Sequence, residues 1–151
     1  MMTEQKQAAL ASAIYFSRLQ LAGEAVDTDD RRIRVSGLYE TWAEGDHAVG
    51  EIYNAAGQTW ECHAAYDNAV HPDITPDNPE TWATFNRPLH GTSPETARPW
   101  CKPRYGTTDI YHPGEYMIWT DGSIRRCLRD TNFSPEEYPA DWEIVSEPNT
   151  V

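Results

Sequence analysis

The stretch YHPGEYMIWTDGSIRRCLRDTNFSPEEYPADW, residues 111–142, decides the fold, because its landmarks occur once already upstream. Residues 47–82, HAVGEIYNAAGQTWECHAAYDNAVHPDITPDNPETW, carry them in the same order. A ring, Tyr111 or His47, stands three residues before a Gly-Glu pair, Gly114-Glu115 or Gly50-Glu51. A hairpin glycine follows, Gly122 or Gly57, and five residues later a cysteine, Cys127 or Cys62. Each copy closes on Ser/Thr-Pro, a further Pro and a Trp: Ser134-Pro135, Pro139 and Trp142 against Thr75-Pro76, Pro79 and Trp82. Each also opens on a Trp, Trp100 or Trp42. Landmarks kept in one order over two segments mark an internal duplication.

The landmarks have physical uses. YMIWTDGSIRRC and IYNAAGQTWEC each read as strand, turn, strand, with Asp121-Gly122 and Gly57 in the turns. A glycine there accepts positive φ. Trp42, Trp82, Trp100 and Trp142 can fill cores that so short a segment cannot otherwise build. Cys62 and Cys127, on the returning strands, serve as small apolar side chains.

Working outward, residues 3–23 read as a helix, with Thr3 as cap, Gly23 as stop and a stripe at Leu10, Ile14 and Leu21. Its partner surface is either its own domain or another copy of the chain, since an isolated helix of this length is marginal. EAVDTDDRRIRVSG reads as a connector with a short strand at Arg32–Val35. FNRPLHGTSPETARP, rich in Pro and Gly, reads as a linker. The expected division is an N-terminal helix over 1–24, a connector over 25–38, a first module over 39–86, a linker over 87–98 and a second module over 99–147.

Composition narrows the function classes. The 151 residues carry a formal net charge of −12. That balance argues against nucleic acid and against an anionic membrane surface, both of which need basic patches. No apolar run is long enough to span a bilayer, and the N-terminus lacks the pattern of a secretory signal. Cys62, Cys101 and Cys127 form no CxxC and read as reduced thiols. His63, His71, Asp73 and Asp77 match no metal-ligand spacing, so no metal and no cofactor is expected. GxSxG, phosphate-loop and HExxH motifs are absent, and modules this small lack the walls of a desolvated catalytic pocket, so a non-enzyme is expected. Six Trp and eight Tyr are a heavy load for this length and suit aromatic cores or ring-based binding.

The order of landmarks resembles the chitin-binding type 3 modules of the carbohydrate-binding families 5 and 12, in two copies between about Tyr39 and Val145. The second copy, with PWCKPRYGTTDIYHPGEYMIW before the hairpin and SPEEYPADWEIV at the close, is similar to a form frequent in bacteriophage tail and virion proteins. The resemblance implies a mainly β fold: two small three-stranded antiparallel modules with aromatic cores, preceded by an N-terminal α-helix. It implies noncatalytic binding of polysaccharide or bacterial surface glycan by a virion protein made in the host cytoplasm and acting outside the bacterium. Other virion proteins are the expected partners, with self-association, a trimer by family habit. The alternative is a structural virion protein that uses the same modules for protein contacts.

In that family an exposed ring stacks on the apolar face of a sugar. The matching position here is Phe133 in the second copy and Ile74 in the first, and only Phe133 keeps a π face. Tyr138 stands beside it in sequence, and Arg129, Asp130, Asn132 and Glu136 are near enough to meet hydroxyls. Strand alternation makes Trp119 a further candidate ring. Trp60 aligns with Arg125, so the shared core does not require it, and it is expected at the surface together with Tyr66.

Overall fold

The computed structural model describes residues 3–148. Met1 and Met2 of the expected helical segment lie outside them. Helix α1 (Glu4–Leu21) starts where Thr3 accepts a hydrogen bond from Lys6 N at 3.2 Å. It ends in a Schellman motif: Gly23 has φ +70°, its N–H donates to Gln20 O, and Glu24 N–H donates to Leu19 O. The stripe Leu10, Ile14, Leu21 faces outward, and Leu21 is 90% exposed. Ser12 and Leu19 are the buried positions instead. The helix docks by close backbone approach. Gly37 N–H donates to Ser12 Oγ at 3.0 Å, and a Cβ on Gly37 would come within 2.6 Å of Ala8 O. Large apolar side chains have no room in such a contact, which is why the stripe was a misleading guide to the docked face.

The strand expected at Arg32–Val35 is corrected to a helix, α2 (Asp29–Arg34). Thr28 Oγ1 caps it by accepting from Arg31 N, Asp29 and Asp30 sit in its first turn, and Arg31, Arg32 and Arg34 in its last. These charges complement the helix dipole at both ends. Ile33 and Val35 alternate as in a strand, but both point into the body from the helix and its C-cap.

Nine short strands follow among the described residues, in three small sheets. They are β1 (Asp46–His47), β2 (Ile52–Ala55), β3 (Gln58–Cys62), β4 (Tyr66–Asp67), β5 (Asn86–Pro88), β6 (Arg98–Pro99), β7 (Tyr116–Ile118), β8 (Ile124–Cys127) and β9 (Trp142–Ser146). A one-turn helix, α3 (Trp82–Phe85), leads into β5. The sheets are β1-β4, β2-β3-β5 and β6-β7-β8-β9. Among the described residues the protein thus combines helix and sheet, with sheet predominating among the elements and no barrel. The last sheet departs from a purely antiparallel three-stranded plan, because β6 adds to β7 in parallel.

The shared landmarks occupy matching hydrogen-bonding positions. Gly50 N–H donates to Cys62 O at 2.8 Å and Gly114 N–H to Cys127 O at 3.0 Å. Cys62 N–H and Cys127 N–H donate to Glu51 O and Glu115 O, both at 2.8 Å. Trp42 N–H and Trp100 N–H donate to Asn54 O and Ile118 O, both at 2.9 Å. Each Glu also caps its own turn, accepting from Ala48 N or His112 N. Two separate aromatic clusters result. One gathers Tyr53, Trp60, Cys62, Tyr66, Ile74 and Trp82, and the other Tyr111, Met117, Cys127 and Trp142. Trp42 and Trp100 pack against the first and second clusters.

The expected linker over 87–98 is also corrected. It contributes to β5 and β6 and buries Leu89, His90 and Thr96. Its Pro and Gly content breaks long strands, yet its backbone is held by side chains. His90 N–H donates to Asp29 Oδ2 at 3.1 Å and Thr92 N–H to Asp30 Oδ1 at 2.9 Å. The first turn of α2 therefore fixes a segment that composition alone marks as free.

Candidate functional site

The loop between β8 and β9 is pinned at several points. Tyr111 and Thr131 exchange backbone hydrogen bonds, each 3.0 Å. Phe133 N–H donates to Thr131 Oγ1 at 3.0 Å, and Phe133 O accepts from Trp142 Nε1 at 2.9 Å. Ser134 N–H donates to Glu137 Oε1 while Glu137 N–H donates to Ser134 Oγ. The loop backbone is thus fixed to the core while the Phe133 ring is left outside it.

Phe133 and Tyr138 are each 47% exposed. Their ring centroids are 6.2 Å apart and their planes 30° from parallel. They line an open groove of about 320 Å³ together with Arg129, Asp130, Asn132 and Asp141. Lys102 Nζ lies 5.6 Å from the Phe133 centroid and is held there by Asn132 O (2.9 Å) and Glu137 Oε1 (2.7 Å). The Lys102 hydrogen bond, with that from Ser134 N–H, holds the Glu137 carboxyl below the usual range. The Asp130 carboxylate lies 3.0 Å from His112 Nδ1, placed to accept its N–H. Arg129 Nε stands 3.0 Å from Asp141 Oδ1, near enough to pair. The groove offers two tilted π faces rimmed by an amide, carboxylates and a guanidinium. Chemically it can stack a flat apolar surface and exchange hydrogen bonds at its edge.

The structure brings Phe133 and Tyr138 together, with Arg129, Asp130 and Asn132, and leaves the other candidate rings elsewhere. Trp119 is half-buried and packs edge-on against Trp100 at 5.8 Å, outside the groove. The surface position expected for Trp60 is corrected: the ring is 3% exposed, sits 5.4 Å from Trp82, and its Nε1 donates to Ala55 O. The reason lies in α3. The closing Trp82 enters a helical turn instead of a strand, and Trp60 packs against it. Tyr66 is corrected too, at 5% exposed. Its hydroxyl is tied to Tyr53 Oη at 2.7 Å and accepts from Trp42 Nε1 at 2.9 Å.

A larger opening, about 700 Å³, lies in the first copy between Tyr66, Val70, Ile74 and Phe85, with Asp67 and Asp73 among its lining residues. Sequence reasoning missed it. Residues between Tyr66 and Ile74 have no counterpart in the second copy, and that surplus of chain was the available signal. Ile74, at the position matching Phe133, is buried.

The cysteines offer no nucleophile. Burial pushes the Cys101 and Cys127 thiols up to about 12 and raises that of Cys62. Thiolate, the reactive form, is therefore scarce at neutral pH. Among the described residues no group of three His, Cys, Asp or Glu side chains is placed to hold a metal ion, and no helix is long and apolar enough to cross a membrane. In comparisons with known proteins, the chain matches no protein-family model and no curated protein. The family reading therefore rests on the landmarks and their spacing.

Proposed function

We propose that the protein is a noncatalytic glycan-binding protein, using the Phe133–Tyr138 groove to stack a sugar of a polysaccharide or bacterial surface glycan. The observation that carries this reading is the pair of half-exposed rings on a loop whose backbone is pinned. Leaving two rings in water costs free energy that burial would recover, and the local hydrogen bonds hold them out. By analogy with bases on aromatic side chains, one stacked ring contributes roughly 1–3 kcal/mol. A contact of that size is weak, on the order of millimolar or weaker alone. Several copies on one particle raise avidity without new contacts. The resemblance to phage tail and virion modules supplies the setting, an accessory protein meeting the bacterial surface.

A structural role in the virion, through protein contacts, is the second reading. It is favoured by the buried Ile74 at the first-copy ring position and by the exposed stripe Leu10, Ile14 and Leu21 on α1. That stripe is the surface which self-association, as a trimer by family habit, would use. Light scattering on wild type and on the Leu10→Glu, Ile14→Glu double variant tests it. An oligomer that dissociates in the variant supports the helix contact, and a monomer in both removes it.

Binding itself is tested on a glycan array, with chitin and peptidoglycan pull-downs, for wild type and Phe133→Ala. The variant keeps its circular dichroism and loses binding if the groove is the site. Wild type that captures no glycan shifts the function to the structural reading.

A further inference from the structure

The openings described above carry carboxylates: Asp67 and Asp73 in the first copy, Asp130 and Asp141 beside Phe133. A further opening near Trp42 and His47 carries Glu40, Glu44, Asp46 and Glu51. One pocket breaks this pattern in a chain of net charge −12. It measures about 370 Å³ and lies between α1, the turn at Ser36 and Gly37, the β2–β3 hairpin and Arg98. None of its lining residues is acidic, and Arg98 is its only charged one.

Arg98 is unusual among the arginines. Arg31, Arg32, Arg34, Arg87, Arg125, Arg126 and Arg129 each have a carboxylate within ion-pair distance. Arg98 has none among the described residues and is half-buried, whereas Arg18 and Arg104, which also have none, are exposed. Its Nη2 donates to Ser36 Oγ at 2.9 Å, and its Nε is buried without an acceptor. A guanidinium stays charged in a protein, so a desolvated one without a counter-ion is costly. A second orphan lines the same pocket. Gln58 is 7% exposed. Its Nε2 is committed to Pro99 O at 2.5 Å, which fixes the amide's orientation, and its Oε1 is buried with no donor. One group needs an anion and the other needs a hydrogen-bond donor.

We propose that this pocket is a separate binding site for a carboxylate with a neighbouring hydroxyl, the chemistry of a uronic-acid-type sugar or a free hydroxy acid. The carboxylate accepts from the Arg98 guanidinium, where a forked contact is available. The hydroxyl donates to Gln58 Oε1. Both orphan atoms are shielded from water in the free chain, so binding requires both side chains to turn toward the pocket, with Gln58 giving up its hydrogen bond to Pro99 O. The volume lies at the lower end of the roughly 300–1,000 Å³ usual for small-molecule sites.

Gly37 and Gly57 line the pocket, and their backbone amides are reporters in a ¹⁵N–¹H correlation spectrum of the full chain. Sodium glucuronate, sodium lactate, glucose and sodium sulfate are titrated at matched ionic strength. Saturable shifts at both glycines with glucuronate, absent with glucose, are expected. Equal response to lactate assigns the site to the hydroxy-carboxylate group alone, and a stronger response to glucuronate assigns it to the sugar acid. Arg98→Lys weakens binding about tenfold, the size of one lost charge-assisted hydrogen bond. Thr41→Glu, at an exposed lining position, introduces a competing carboxylate and abolishes binding without touching Arg98. Phe133→Ala leaves these shifts unchanged, which separates this site from the glycan groove. The proposal is overturned by no shift at saturating glucuronate, by equal shifts with glucose, or by equal shifts with sulfate (an adventitious ion only). Full binding retained in both Arg98→Lys and Thr41→Glu overturns it as well.

Discussion

At the residue scale, the same side-chain type takes opposite roles according to what the backbone beside it does. Phe133 is outside because its own N–H and C=O are both spent on the core. Trp60 is inside because α3 leaves Trp82 beside it. The position of Phe133 in the repeat was legible from sequence, since it precedes the Ser-Pro landmark. The position of Trp60 was not, because alignment with Arg125 says only that the second copy needs no ring there. Turn chemistry offers a sharper test. Ala56 and Gly57 form the two-residue loop between Ala55 and Gln58, and both have positive φ, +52° and +76°. That pattern is the one a type I′ turn requires, and it favours Asn-Gly. An alanine held in the left-handed region costs about 1 kcal/mol. Ala56→Asn is therefore expected to stabilise the chain by about 0.5–1 kcal/mol, read as a raised denaturant midpoint with unchanged slope. An unchanged or lowered midpoint would mean that this turn carries no such strain.

At the element scale, α2 acts as a clasp. Asp29 accepts from Arg87 at 2.7 Å and from His90 N–H, and Asp30 accepts from Thr92 N–H, Thr96 Oγ1 and Arg34. Burial acts to raise both carboxyls, but these donors outweigh it, holding Asp30 at about 2 and Asp29 below the usual range. A carboxyl whose folded pKa is depressed contributes stability above its ordinary pKa. That contribution is lost as pH falls through the folded value. The window for Asp30 therefore runs from about pH 4 down to about pH 2. Its share is on the order of 1–2 kcal/mol after allowance for solvent screening. Asp30→Asn should lower stability at neutral pH by about that amount and flatten the loss between pH 4 and pH 2. Urea melts followed by tryptophan fluorescence at both ends of the window measure it, and an equally steep acid loss in the variant would remove Asp30 as its source. Sequence gave little warning of this clasp. The Asp-Asp-Arg-Arg run reads as charge, and its partners lie about 60 residues away in a segment that Pro and Gly disguise as a linker. By contrast α1 and both hairpins were legible, because their caps, stops and turn glycines are local signals.

At the scale of the whole molecule, the question is whether the two aromatic clusters are independent beads or one folding unit. Residues 86–99 decide it. Asn86, Arg87 and Pro88 complete the first sheet against β3, and Leu89 N–H donates to Thr59 O. One residue on, His90 packs against the second cluster. Its ring stacks on Tyr111 at 3.9 Å with a 7° interplanar angle, and its Nδ1 is 2.9 Å from Glu115 Oε1. Gly91 then bridges Tyr116, Arg98 pairs with Met117, and Gln58 of the first sheet reaches Pro99 of the second. Such a strap leaves little chain free to let one sheet melt alone. The chain should unfold in one cooperative transition, with calorimetric and van't Hoff enthalpies equal. His90→Ala removes a buried stacked ring and leaves Glu115 without its imidazole. It should cost about 2–4 kcal/mol and lower the melting of both clusters together. Two resolved transitions in wild type, or a His90→Ala effect confined to one of them, would show that the sheets fold separately. The pocket at Arg98 draws on both sheets and would then be lost with either, whereas the groove at Phe133 would answer to the second sheet alone.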